Sequence, residues 1–225
     1  MALKDGLRIT SDIDAVPEGS NCAVIVRHAD REGELDQVVR NDEGVNDIGI
    51  RRAKLLGSTL GRFPDLRSFS SPIGRCVDTC VHISIGYGKR VEPTCTELLG
   101  MSAPFMIDPI RAYDLMREIG LLEFVDRYVH DDLDKNMVLP CSEGMRMMLS
   151  YVIENIKGLK GGIGVFVTHD MIITPPMAYY LGYDFWKGLV PFLDGMVLYE
   201  KGDGYVARYA GREIPVSGEG VPRRL

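Results

Sequence analysis

The chain has 225 residues, 45% of them hydrophobic and 26% charged, with a formal net charge of −6. That balance suits a globular chain large enough for a substantial core, and the acidic surplus argues against nucleic acid or an anionic membrane as partner. No stretch approaches the ~18 apolar residues of a membrane span.

The opening MALKDGLRITSD lacks the apolar centre of a secretory signal. Five scattered cysteines, Cys22, Cys76, Cys80, Cys95 and Cys141, read as free thiols, so the expectation is a cytoplasmic protein. Cys76, Cys80 and His82 do not make a zinc site, because no second ligand pair follows them. No metal and no cofactor is expected. Residues 1–21 are polar, with Pro17, Gly19 and Ser20, and read as a loose lead-in.

Cys22 to Val26 is a short unbroken apolar run, the pattern of a parallel strand buried on both faces. It ends abruptly in Arg27-His28. Residues 30–46 are charged and turn-rich and read as a loop. Ile50, Ala53, Leu56 and Leu60 then recur at helical spacing, predicting a helix from Asp47 to about Phe63 capped by Asn46 or Asp47. Leu66 to Phe69 is a second strand, and SSPIGR leads into a helix through Ile73, Val77, Cys80 and Ser84 that Gly86 and Gly88 close. Val91 begins a further short extended segment.

Beyond it the strand–helix alternation lapses. Leu115, Ile119, Leu122, Val125 and Val129 predict one amphipathic helix, followed by the acidic HDDLD, whose Asp131, Asp132 and Asp134 read as a solvated loop. Met145, Met148, Leu149, Val152, Ile153 and Ile156 predict another helix, its methionines packing as core. Ile163 to Thr168 is again a buried strand, ending in His169-Asp170. Pro175 and Pro176 suit the first turn of a helix starting near Thr174 and running to Leu181. Met196–Glu200 and Tyr205–Tyr209, joined by KGDG, predict a closing β-hairpin that adds an antiparallel edge to the sheet, and the tail after Gly211 has no assignment. The whole predicts an α/β three-layer sandwich: a mostly parallel central sheet, helices on both faces and a small helical cap inserted at about 96–145 of a single domain spanning 1–225.

Three polar clusters follow three predicted strands: Arg27-His28, Ser70-Ser71-Pro72 with Arg75, and Thr168-His169-Asp170. Ligands of open parallel sheets bind beyond the carboxyl ends of the strands. Arginines match phosphate oxygens in bidentate fashion, and a neutral imidazole is a competent nucleophile toward phosphorus. Arg75 in the first turn of a helix is an electrostatic misfit unless an anion sits there.

VRHADR, SSPIGR with Thr79, and THD together resemble the histidine phosphatase superfamily, also called phosphoglycerate-mutase-like. The resemblance implies a metal-independent phosphoric monoester hydrolase with His28 as the nucleophile that forms a phosphohistidine. It implies a phosphate pocket of Arg27, Arg31, Arg75 and His169, and a small phosphorylated substrate. Arg31 and Asp170 lean toward the acid-phosphatase branch, in which Asp170 would protonate the leaving group. Ala29 and Glu32 depart from that pattern. In the mutase-like branch the acid follows the third strand, where Glu97 stands, so both carboxylates are candidates and Asp170 is favoured. A mutase-like phosphotransferase and a non-catalytic phosphate-binding protein are the alternatives on the same fold. A His-Asp metal phosphohydrolase would need more ligands than four histidines supply.

Overall fold

The computed structural model describes residues 7–32, 44–101 and 105–220. Strand β1 (Cys22–Arg27) is buried along its whole length, which its unbroken apolar sequence requires. Ala23 and Ile25 face one side of the sheet while Cys22, Val24 and Val26 face the other. β1 pairs in parallel with β4 (Ile163–Thr168), which is equally buried. β4 pairs in parallel with β2 (Leu66–Ser70), and β2 with the two-residue β3 (Thr94–Cys95). The sheet is not mostly parallel, however. β1 meets β5 (Gly195–Lys201) antiparallel, and β6 (Gly204–Tyr209) and β7 (Arg212–Val216) continue antiparallel, giving the order β3-β2-β4-β1-β5-β6-β7. The predicted hairpin is β5–β6; β7 adds a third strand from the unassigned tail. It does so because Ile214 and Val216 have apolar surface to bury.

Helices α2 (Asp47–Thr59) and α3 (Gly74–Gly86) cover one face. Asn46 caps α2 as predicted, its Oδ1 accepting the Gly49 N–H at 2.9 Å. Gly49 also lets α2 start against the chain after His28, since a Cβ there would lie 2.3 Å from the Asp30 carbonyl. From Leu7 onward the lead-in is not loose: α1 (Ile9–Asp14) buries Ile9 and Ile13 on this same face, an amphipathic turn too short for its periodicity to register.

The other face holds α4 (Pro109–Ile119), α5 (Leu121–Val129), α6 (Cys141–Ile156) and α7 (Asp170–Leu181). The single helix expected through Leu115–Val129 is two. Gly120, at φ 84°, breaks it while the apolar spacing runs on across the break. Helix α7 starts at Asp170 rather than near Thr174 and carries Pro175 and Pro176 inside it. The helix is almost wholly buried there, and packing outweighs the backbone bonds the prolines cannot make. Of the acidic run, Asp131 accepts the Cys141 N–H at the start of α6 and Asp134 pairs with Arg111 at 2.8 Å. The expected loop at 30–46 lies outside the described residues over 33–43. Among the described residues no helix is long and apolar enough to cross a membrane.

Candidate active site

The carboxyl ends of β1, β2 and β4 are knitted together by the backbone. His28 N–H donates to the Thr168 carbonyl at 2.9 Å, and Ser71 N–H to the Val167 carbonyl at 3.0 Å. Arg27, His28, Arg75 and His169 therefore converge, and all four are almost completely buried. Burying two guanidiniums beside two imidazoles is costly unless an anion completes the cluster.

The hydrogen bonds fix the tautomers. Arg75 Nε donates to His28 Nε2 at 3.1 Å, and an arginine has no lone pair to accept with. His28 thus carries its proton on Nδ1 and donates it to the Ala29 carbonyl at 2.8 Å. Arg75 Nη2 likewise donates to His169 Nδ1 at 3.2 Å, leaving the Nε2–H of His169 for Ser71 Oγ at 2.8 Å. Both rings are neutral. Burial pushes the His28 pKa well below its ordinary value, and Arg27, His169 and Arg75 push it further, against the Ala29 hydrogen bond. Burial, then Arg75 and Arg27, lower His169 to about 3.

Arg27 is held on several sides. Its Nη1 donates to the Val190 carbonyl at 2.9 Å, its Nη2 pairs with Asp170 at 2.8 Å, and Phe192 lies over the guanidinium at 4.0 Å. Burial lowers its pKa, Asp170 opposes that, and Arg31 and Arg75 add to it. Arg31, half-buried, thus places its charge near Arg27, although its Nη1 bond goes to the Glu32 carbonyl. Glu97 is exposed in a 3-10 turn, Glu97–Leu99. That turn is tied to the cluster, because Thr168 Oγ1 donates to the Leu99 carbonyl at 2.7 Å.

Three supports had no role assigned from the sequence. Ser71 orients His169. Thr79, noted only as a motif match, accepts the Ala29 N–H at 2.9 Å and donates to the Arg75 carbonyl at 2.7 Å, joining the two motifs. Phe192 sits 5.4 Å from the His28 ring and carries no polar signal a sequence scan would find. A surface hollow of about 660 Å³ lined by Lys201, Tyr205 and Glu213 shares no residue with the cluster.

Residues 23–99 match the family model of the histidine phosphatase superfamily (branch 1). The likeness carried by VRHADR and SSPIGR is thereby shown. The matched stretch includes Arg27, His28, Arg31, Arg75 and Glu97 and stops short of His169 and Asp170, so the lean toward the acid-phosphatase branch has no support in it. No curated protein matches the sequence. Among solved structures the chain is similar to Bacillus stearothermophilus YhfR, at 16% identity and TM-score 0.56 over 88% of this chain and 98% of that one. It is similar to a phosphoserine phosphatase from Entamoeba histolytica, at 15% identity and TM-score 0.53 over 87% and 95% of the two chains. It is also similar to a mycobacterial glucosyl-3-phosphoglycerate phosphatase, at 16% identity and TM-score 0.51 over 80% and 90%. These likenesses show the fold alone.

Proposed function

We propose that the protein hydrolyses phosphomonoesters through a phosphohistidine on His28. The observation that carries this reading is the neutral His28 ring, its Nδ1–H bound to the Ala29 carbonyl and its Nε2 lone pair directed at the Arg75 guanidinium. An arriving phosphate takes the Arg75 Nε–H onto an equatorial oxygen and so frees that lone pair. Nε2 bonds to phosphorus as the ester P–O bond breaks, and the Ala29 carbonyl stabilises the resulting cationic ring. Arg27, Arg31 and Arg75 are assigned to the phosphate oxygens, and His169 joins them by turning its Nε2–H from Ser71 Oγ to the ligand.

The departing alkoxide takes a proton from a carboxylic acid. The resulting carboxylate then takes a proton from the water that breaks the P–N bond. Sequence reasoning favours Asp170 as this acid, but the Arg27 ion pair weighs against it, because an acid form of Asp170 would surrender that pair. No ion pair engages Glu97 among the described residues, and its turn is bonded to the end of β4. We therefore assign proton donation to Glu97 and orientation of Arg27 to Asp170. The helical stretch at 96–145 is assigned as the cap that surrounds the leaving group.

Rapid acid-free denaturation after mixing with a labelled phosphomonoester should trap a base-stable, acid-labile phosphoryl adduct that His28→Ala lacks. Active protein without such an adduct overturns the proposal. Glu97→Gln should slow alkyl phosphates on the order of 100-fold while sparing p-nitrophenyl phosphate, whose leaving group needs no proton. Asp170→Asn should slow both alike; the reverse pattern returns the acid role to Asp170.

A further inference from the structure

The loop between α7 and β5 shows unusual backbone cost and unusual anchorage together. Leu193, buried and bulky, sits at φ 56°, a region such side chains avoid. The loop is tied down at several points. Leu193 N–H donates to the Arg27 carbonyl and Arg27 N–H to the Asp194 carbonyl, at 3.1 and 3.0 Å. Val190 N–H donates to Thr174 Oγ1 at 3.1 Å. Arg52, which pairs with Asp30 two residues after His28, reaches the Phe192 carbonyl at 3.5 Å. From outside, Arg8, just before α1, grips both oxygens of Asp194 through Nε, at 2.9 and 2.8 Å, and also donates to the Gly195 carbonyl at 2.8 Å.

What this frame presents is the Phe192 ring, its centroid 4.0 Å from the Arg27 Cζ that lies over it and its plane tilted at 45° to His28. With the ring covering one face, the Val190 carbonyl on Nη1 and Asp170 on Nη2, the guanidinium has one rotational setting left. In that setting Arg27 Nε is buried with no partner among the described residues. A buried donor without a partner is rare in folded proteins, and here it borders the His28 cluster.

We propose that Phe192 is a positioning residue for Arg27: with the Val190 carbonyl it holds the guanidinium so that its Nε–H is reserved for the ligand anion, and Arg8 anchors the loop that carries it. This rests on the phosphate-pocket reading for the identity of the anion, though not for the hold on Arg27.

The test therefore reads the two separately, on the full chain. The Arg27 Nε–H resonance, assigned by its loss in Arg27→Lys, should be shifted upfield by the Phe192 ring current and exchange slowly with water. Phe192→Leu keeps an apolar side chain but removes the π face. It should move that signal downfield, quicken its exchange and weaken inorganic phosphate binding about fivefold, the equivalent of ~1 kcal/mol. Phe192→Tyr should restore both readouts to within about twofold. Melting temperatures recorded across the series separate this from loss of fold. An Arg27 signal unmoved by Phe192→Leu, or changes that track melting temperature rather than the ring, overturns the inference. A signal that moves in a protein binding no phosphate upholds the hold on Arg27 and overturns the pocket reading. Arg8→Gln should move the same signal by less; no movement removes α1 from the frame.

Discussion

On one side of β1 the sheet runs parallel through β4, β2 and β3; on the other it runs antiparallel through β5, β6 and β7. Parallel strands all end at one edge, so each contributes the residues after it to the same place, and Arg27-His28, Ser71 with Arg75, and His169 gather there. Antiparallel strands end alternately at opposite edges and cannot gather side chains in this way. Their half instead holds a charge network in which buried Asp12 accepts from Arg8, Arg208 and the Ala210 and Gly211 N–H groups. Among the described residues it approaches the cluster through the Val190–Asp194 loop ahead of β5. One half thus carries the clustered guanidiniums and imidazoles and the other braces them.

This division is open to experiment. The largest effect belongs to the parallel half: His28→Ala should lower p-nitrophenyl phosphate turnover on the order of 10⁵-fold with the circular dichroism spectrum unchanged. Arg75→Ala, which removes the donor shared by both histidines, should cost on the order of 10²–10³ in kcat. Arg208→Ala, in the antiparallel half, should lower stability by about 2 kcal/mol in urea unfolding, since it removes charged bonds to Asp12 and Glu213. Turnover should stay within about twofold, because Asp12 keeps Arg8 and the two sites are independent. A large loss of turnover there would erase the distinction between the halves.

Acid should act on the parallel half. His169 is held neutral at about 3, below its ordinary 6.5, so the unfolded chain binds the extra proton first. Its contribution is fully present above pH 6.5 and is lost as pH falls from there toward 3. At pH 5 the loss is about 2 kcal/mol for this ring, and the stability–pH slope should flatten in His169→Asn. The smallest effect is expected of Ser71→Ala, about 1 kcal/mol, from the lost Nε2–H partner of His169.

What sequence reasoning reached follows local rules. Strands β1 and β4 were legible because a strand buried on both faces has to be apolar throughout. The polar residues that end them stand out for the same reason. Asn46 was legible as a cap because its partner is three residues away. Where two local signals conflict, the reading failed: periodicity continued through Gly120, and prolines that suit a first turn lie inside α7. The closing hairpin was expected to add an antiparallel edge, but the third strand β7 was not, and the direction of β5 beside β1 is weakly marked, since either direction buries the same Met196, Val197 and Leu198.

From the sequence alone came the polar groups at the strand ends: which residues are cationic, which are imidazoles, and the expectation that an anion joins them, because residue type and strand position set these. The tautomers of His28 and His169, the commitment of Asp170 to Arg27, the Thr79 link and the Phe192 brace were decided only by the tertiary structure. They depend on partners far apart in the chain, Arg8 and Asp194 being 186 residues distant. Nothing in a local pattern determines which distant group a side chain meets; that is settled by how the helices and loops pack on the sheet.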